Sequence, residues 1–183
     1  MSEFNELKWN PKVIKNAMNI ENDLFCLECH DNHHYNIINK LINIGDKEER
    51  LPFLPIEPGD NALLIFDPKR ELYLGYLTWN FDLNEEYCKY VEWEGLNKPY
   101  YHCNGGGEIL RLLYIVKEER RKGYASKLVK FWVENYAMKT HNRFGVEAMI
   151  ESPIVELLIK LGYVKRVATD KRLPLNCYYV PSC

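Results

Sequence analysis

The fold is decided by the stretch LRLLYIVKEERRKGYASKLVKFWV, which runs from Leu110 to Val133. The run Ile109 to Val116 is apolar at nearly every position except Arg111, which suits a strand buried on both faces. From about Tyr124, apolar residues recur at helical spacing on one face: Leu128, Val129, Trp132, Val133 and Tyr136. This stretch therefore predicts a strand, a short charged turn and an amphipathic helix.

The turn between that strand and that helix has the chemistry of an anion site. A helix that begins just beyond a strand leaves its first N–H groups unpaired, and those groups together with the helix dipole suit a pyrophosphate. The small residues Gly123 and Ala125 keep side chains away from the backbone, so that phosphate oxygens can approach it. Arg121 and Lys122 add positive charge. The segment from Arg120 to Ser126 is thus a candidate phosphate-binding turn.

The rest of the chain alternates strands and helices, which indicates a mixed α/β class. Further strands are predicted at 62–66, 72–81, 144–150, 163–168 and 177–180. A helix should begin at Ser152-Pro153 and end at Gly162. Residues 11–43 contain two helix-like stretches, one with Val13, Ile14, Ala17 and Met18 and one with Ile37, Ile38, Leu41 and Ile42. Residues 51–60 and 82–107 read as connecting segments.

Bulk composition points to an ordinary packed domain. The chain has 183 residues and a net charge of -2, and 46% of its residues are hydrophobic, which gives no general attraction to nucleic acid or to an anionic membrane. No apolar run approaches the length that spans a bilayer, and the first residues lack the apolar core of a signal peptide. We therefore expect a cytoplasmic protein with reduced cysteines; the six are Cys26, Cys29, Cys88, Cys103, Cys177 and Cys183.

Two motifs carry a resemblance to a known family. Arg120-x-x-Gly123-x-Ala125 resembles the signature of the GNAT superfamily of acetyl-CoA-dependent N-acetyltransferases, and it lies after a strand and opens a helix as that family requires. Leu157 to Tyr163 (LLIKLGY) is similar to the family's closing motif, a helix that leads into a strand. The resemblance covers about residues 61–180. It predicts a single N-acetyltransferase domain over 1–183, whose residues 1–58 are a variable helical N-terminal part.

The resemblance also implies a fold, a co-substrate and a reaction. The fold is a central, mostly antiparallel twisted sheet with a parallel pair at the acetyl-CoA site, flanked by helices. The pantetheine arm of acetyl-CoA would pair with the strand backbone, and the pyrophosphate would sit on the turn; the implied residues are Leu113, Tyr114, Ile115, Val116, Arg120, Arg121, Lys122, Gly123, Tyr124, Ala125 and Ser126. Acetyl would pass to a primary amine of a small molecule or a protein. The alternative is a non-catalytic module that keeps the fold and binds an acyl-CoA or a protein. The resemblance does not specify the oligomeric state, and a homodimer is one of the alternatives.

Glu108 is the candidate general base, because it begins the strand that should flank the thioester. Family members with a glutamate on this strand carry it at the position of Ile109. A shift of one residue turns the side chain to the other face unless a bulge intervenes, so a solvated strand-end glutamate is the alternative. The family's acid tyrosine is replaced by Leu158, and the asparagine often found near the start of that helix is replaced by Glu151. Tyr114, Tyr163, Tyr178 or solvent would have to supply the proton.

Two weaker features concern the acceptor and a metal. The segment from Asp82 to Glu94 is acidic and has aromatic residues around it, which would suit a cationic amine; these are Tyr76, Trp79, Tyr87, Trp93, Tyr100 and Tyr101. A solvated loop with aromatic anchors in the core is the favoured interpretation. Cys26, Cys29 and His30, with His33 and His34 close by and His102 or Cys103 as a fourth ligand, could bind zinc. Buried cysteines and surface histidines are favoured, so no metal is predicted.

Overall fold

The computed structural model describes residues 16–21, 24–49, 55–82, 107–141, 144–148, 153–163 and 176–179. Within these described residues, seven strands form one sheet in chain order, β1 to β7: Met18–Glu21, Leu24–Glu28, Asn61–Asp67, Leu72–Asp82, Gly107–Ile115, Phe144–Ala148 and Asn176–Tyr179. Strands β1, β2 and β3 pair antiparallel, as do β6 and β7. Strands β5 and β6 pair in parallel, with Glu108 opposite Phe144 and Leu110 opposite Val146.

Helices occupy the connections that the sequence predicts. Helix α1 is Asn32–Glu49, and α2 is Tyr124–Trp132. A π-helical turn, Val133–Ala137, carries the chain from α2 into α3, Met138–His141. Helix α4 is Pro153–Lys160, and a 3-10 turn, Lys117–Glu119, lies between β5 and α2. The mixed α/β class with a mostly antiparallel sheet and one parallel pair is confirmed.

The described chain divides into two compact units. The first draws its residues from Met1–Thr78 and Leu112–Phe131. Its core places the apolar face of α1 against buried side chains of the strands; among its members are Ile38, Leu41, Ile42, Leu64, Phe66, Tyr73, Tyr114 and Val116. Asp31 precedes helix α1 and caps it: its carboxylate accepts the N–H of His34 at 2.9 Å, as a helix-capping aspartate does.

The second unit draws its residues from Trp79–Arg111 and Trp132–Cys183. Its interior is rich in aromatic rings: Trp132 contacts Phe144 edge-on at 5.1 Å between ring centroids, and Trp79 lies 5.1 Å from Tyr136. Helix α4 buries Leu158 completely. The chain leaves α4 through Gly162 with a φ of 76°, and the N–H of Gly162 and Tyr163 bond back to Ile159 and Leu158. Gly162 therefore ends this helix as predicted, by the left-handed cap that glycine favours.

One predicted helix is wrong in its described part. Met18 belongs to strand β1 rather than to a helix, and Val13 and Ile14 lie outside the described residues. The segment Met18–Glu21 alternates half-buried and exposed positions, and Met18 and Asn19 pair with Cys26 and Phe25 of β2. Pairing with a neighbouring strand has overridden the helical spacing of the apolar residues.

Strand β2, Leu24–Glu28, also lies within residues 1–58, which were predicted to be helical. The other predicted elements agree with the structure wherever it describes them. The strands at 62–66, 72–81, 144–150 and 177–180 correspond to β3, β4, β6 and β7, with ends that shift by one or two residues. The strand predicted at 163–168 lies outside the described residues beyond Tyr163. No helix in the described part of the chain is long and apolar enough to cross a membrane.

Candidate active site

The turn between β5 and α2 leaves the first amides of the helix without acceptors inside the helix. The N–H of Lys127 bonds to the carbonyl of Gly123 at 3.1 Å, so Gly123 caps α2. The N–H groups of Tyr124, Ala125 and Ser126 then have no acceptor inside the helix. Gly123 has a φ of 84°, and a Cβ added there would meet no protein atom within 4 Å. The space that a side chain at Gly123 would occupy is therefore open.

Arg120 anchors this turn within the protein. Its Nε donates to the carbonyl of Ile115 at 2.8 Å, and its guanidinium lies 5.4 Å from the ring centre of Tyr114. A terminal nitrogen lies 3.4 Å from Oε2 of Glu48 on α1. The side chain that heads the motif therefore folds back onto β5 and holds the turn against that strand.

Arg121 and Lys122 follow with different roles. Arg121 is exposed and has a φ of 63°, a left-handed conformation that costs a residue with a side chain about 1–3 kcal/mol. Lys122 donates to Oε2 of Glu119 at 3.0 Å. Residues on both sides of Arg121 are thus tied by their side chains, which holds the strained backbone in place.

The sequence analysis missed two residues next to the turn, Glu119 and Arg70. Glu119 is only 7% exposed, and both of its carboxylate oxygens accept hydrogen bonds at 2.9 Å from the guanidinium of Arg70. These two residues are 49 positions apart in the chain. The charged pattern Glu118-Glu119-Arg120 is the one available signal, and it does not identify a partner.

Strand β5 has its backbone groups divided between two edges. The N–H of Val116 donates to the carbonyl of Leu74 on β4 at 2.9 Å. The carbonyl of Tyr114 also faces β4, because a Cβ added to Gly75 would lie only 2.1 Å from it. Alternate residues of a strand direct their backbone groups to opposite edges, so Leu113 and Ile115 direct theirs away from β4. The Ile115 carbonyl is bound by Arg120.

Glu108 lies in β5, and it is half-buried rather than fully solvated. Its Oε2 is shielded from solvent. It stands opposite Phe144 in the parallel pairing of β5 with β6. Its role as a base stays a prediction, and a fully solvated strand-end glutamate does not fit this burial.

The candidate acid tyrosines differ in how their hydroxyls are engaged. Tyr114 is buried and donates its hydroxyl to Glu48 at 2.9 Å. Tyr163 packs edge-on against Phe144, and burial, followed by the nearby charge of Glu134, raises its pKa above the usual value. The side chain of Tyr178 lies outside the described residues, and Leu158 is fully buried in the core. The hydroxyl of Tyr114 is therefore already engaged by Glu48, whereas the raised pKa of Tyr163 keeps its hydroxyl protonated at neutral pH.

Cys26 and Cys29 are both buried, free cysteines. Cys29 packs in the core of the first unit with Leu27, and three residues of extended chain turn Cys26 to the opposite face. Burial, with a smaller contribution from Glu28, raises the pKa of Cys26 to about 12. Among the described residues no group of three or more His, Cys, Asp and Glu side chains could hold a metal ion.

The predicted acidic and aromatic wall falls largely outside the described residues, which leave out 83–106. Its two described aromatic members, Tyr76 and Trp79, are buried at 0% and 3% exposure. These two rings are core anchors and cannot face an amine.

Comparison of the whole structure with solved structures finds the same architecture elsewhere. The matches include a Klebsiella pneumoniae protein assigned as an acyl-CoA N-acyltransferase, with a TM-score of 0.56 and 16% identity over 87% of this chain and 98% of that one. They also include NAA60 of Arabidopsis thaliana in complex with a bisubstrate analogue, with a TM-score of 0.56 and 12% identity over 86% and 95% of the two chains.

A third match is the N-acetyltransferase YlbP of Bacillus subtilis in complex with coenzyme A, with a TM-score of 0.53 and 13% identity over 85% of this chain and 95% of that one. The chain has the GNAT fold. The sequence itself matches no protein-family model and no curated protein, so the GNAT likeness rests on the path of the backbone and on the two short motifs.

Proposed function

We propose that this GNAT-fold chain is an N-acetyltransferase of that superfamily, which moves an acetyl group from acetyl-CoA to a primary amine of a small molecule or a protein. The observation that carries the proposal is the turn after β5, where Gly123 caps α2, a side chain at Gly123 would meet no protein atom, and the amides of Tyr124, Ala125 and Ser126 have no acceptor inside the helix. Helix N-termini of this kind bind phosphate groups through their N–H groups and dipole. The neighbours that bind CoA and a bisubstrate analogue support this assignment.

In this proposal the edge of β5 away from β4 receives the pantetheine arm. Leu113 has its N–H and carbonyl on that edge, and Ile115 has its N–H there. An extended arm with amide groups can add to such an edge as a further strand would. The N–H of Leu113 is then the backbone donor nearest the thioester and would bind the oxygen that becomes negative as the amine attacks.

The chemistry requires a neutral amine. A lysine-like amine has a pKa of about 10.4, so its deprotonation at neutral pH costs roughly 4–5 kcal/mol. Glu108 would accept that proton, directly or through a water molecule, before the nitrogen attacks the carbonyl carbon. The nitrogen of the tetrahedral intermediate then loses a second proton to solvent, and the carbon–sulfur bond breaks. The departing thiolate takes a proton from solvent, or from Tyr163, which solvent then reprotonates.

A second candidate function is a non-catalytic module that binds an acyl-CoA or a protein. The observation that favours it is Leu158, a fully buried side chain where many family members place their acid tyrosine. Proximity of the bound reactants can still supply a large share of the rate enhancement. The missing acid therefore does not decide between an enzyme and a non-catalytic module.

Release of free CoA thiol separates these functions. Purified protein is mixed with acetyl-CoA and a panel of polyamines, amino acids and peptides with free N-termini, and thiol release is followed with a colorimetric reagent. An enzyme releases thiol with at least one amine and forms the acetylated product in equal amount by mass spectrometry. Binding of acetyl-CoA with no product from any amine would support the non-catalytic module.

A further inference from the structure

A buried carboxylate stands at the base of the candidate cofactor turn. Glu119 ends the 3-10 turn that follows β5, one residue before Arg120. Its N–H bonds to the carbonyl of Val116 at 2.8 Å, and the residue is 7% exposed. A carboxylate with so little access to water is strongly unfavourable unless it is paired.

Arg70 supplies that pairing in a fixed geometry. Its two terminal nitrogens donate to Oε1 and Oε2 of Glu119, each at 2.9 Å, and its Nε donates to Asp67 at 2.7 Å. Asp67 also accepts the backbone N–H groups of Lys69 and Arg70 at 2.9 and 3.2 Å. The connection between β3 and β4 therefore presents the guanidinium already oriented, and bidentate pairs of this kind are the strong ones.

A second cation, Lys122, also neutralises the charge of Glu119. Lys122 lies 3.0 Å from Oε2 of Glu119, so two cations share one carboxylate. Burial alone would raise the pKa of Glu119, but hydrogen bonds from Arg70 and Lys122 outweigh it and hold the pKa below its usual value. The group is thus ionised at neutral pH, next to a turn that should receive a pyrophosphate.

We propose that Arg70 is a positioning residue for acetyl-CoA binding and that Arg70 acts through Glu119. By holding that carboxylate, Arg70 fixes the backbone of the turn from Arg120 to Ser126 and cancels a negative charge that would otherwise repel the pyrophosphate. This inference rests on the proposed function. It assigns to the β3–β4 connection, distant in sequence, part of the affinity for the co-substrate.

Three variants test it by calorimetric titration with acetyl-CoA and with S-acetylpantetheine, which lacks the pyrophosphate. Arg70→Met should weaken acetyl-CoA binding about tenfold, because Lys122 alone would then pair with the buried carboxylate of Glu119, and the turn would lose its bidentate contact with Arg70. The double variant Arg70→Met with Glu119→Gln should recover most of that loss. Lys130→Met, an exposed position on α2, is the control for loss of one positive charge and should bind as the wild type does. S-acetylpantetheine should bind equally to all four proteins.

The outcomes separate the two claims. A wild-type protein that does not bind acetyl-CoA overturns the proposed function and this inference with it. Wild-type binding with an Arg70→Met affinity within twofold overturns the role of Arg70 alone, and so does an equal loss for both ligands, which would indicate general damage.

If Arg70→Met does not fold, Arg70→Lys provides the test. Lysine keeps the positive charge but cannot make the two parallel hydrogen bonds of the guanidinium to Glu119. We expect this variant to bind acetyl-CoA several-fold more weakly and to exchange the amide hydrogens of residues 119–126 faster, with α4 unchanged. Wild-type affinity and wild-type exchange in Arg70→Lys would overturn the inference.

Discussion

Arg120 heads the motif that resembles the GNAT signature, and its guanidinium is engaged by the Ile115 carbonyl and by Glu48. The sequence predicted that this residue belongs to the cofactor turn, and the structure shows how its side chain holds the turn to β5. The partner on α1 could not be predicted, because Glu48 is 72 positions away. Short motifs report local chemistry, whereas contacts between distant elements depend on how those elements pack.

Glu108→Gln tests the base. The amide keeps the size of the side chain but cannot take a proton, so turnover should fall about 10²–10⁴-fold if Glu108 accepts the ammonium proton. Acetyl-CoA affinity, measured alongside, should not change. Glu118→Gln, the same substitution at an exposed position, should keep wild-type turnover. Turnover of Glu108→Gln within a few-fold of wild type would remove Glu108 from the mechanism.

His34 gives a residue-scale prediction of pH dependence. It is buried in α1 and 3.2 Å from Asp31, and its pKa is lowered from 6.5, chiefly by burial, against the opposing effect of Asp31. Below pH 6.5 the unfolded chain therefore binds more protons at this site than the folded one. The free energy of unfolding decreases as the pH decreases in that range.

Urea unfolding between about pH 5.5 and 7.5 measures this effect. His34→Gln should lose less stability on acidification than the wild type, whereas His33→Gln, at the exposed neighbouring position, should follow the wild type. A His34→Gln protein with the same pH dependence as the wild type would contradict the assignment.

At the scale of elements, β5 and α2 were predictable and β1 was not. The apolar run of β5 and the helical spacing of α2 are strong local patterns, and the structure places both where they were predicted. Met18–Glu21 is short, and the spacing of its apolar residues fits both a helix and a strand. Its pairing with β2 determines that it forms a strand. The π-helical turn Val133–Ala137 has no sequence signal that we could identify.

The contact between β4 and β5 depends on Gly75. A Cβ added there would lie 2.1 Å from the Tyr114 carbonyl, a backbone atom that cannot turn aside. Gly75→Ala should therefore destabilise the fold by roughly 1–3 kcal/mol, as overpacking does, and should weaken acetyl-CoA binding, because the same strand carries Leu113. Denaturant unfolding measures the first effect. A free energy of unfolding equal to that of the wild type would show that β4 and β5 can move apart enough to admit the added methyl group.

At the scale of the whole molecule, the sequence indicated the fold class and the place of the turn, while the catalytic residues stayed predictions. The fold follows from alternating apolar strands and helices, which many sequences share, and GNAT structures with 12–16% identity indeed have it. The catalytic groups depend on single side chains, and the position of Leu158 shows that this chain departs from the common pattern there. Function must therefore be tested at the site.

The central claim is that acetyl-CoA binds with its pyrophosphate on the turn from Arg120 to Ser126, and one pair of glycines tests it directly. Gly123 and Gly162 have φ values of 84° and 76°, and an added Cβ would meet nothing within 4 Å at either position. Aspartate should therefore strain the backbone similarly at both positions, but only at Gly123 does it put bulk and negative charge before the amides of α2.

The decisive measurement is a calorimetric titration of acetyl-CoA into the wild type, Gly123→Asp and Gly162→Asp. We predict that Gly162→Asp binds as the wild type does and that Gly123→Asp binds at least about tenfold more weakly, a difference of about 1.4 kcal/mol. Equal affinity of a folded Gly123→Asp protein and the wild type would contradict the account.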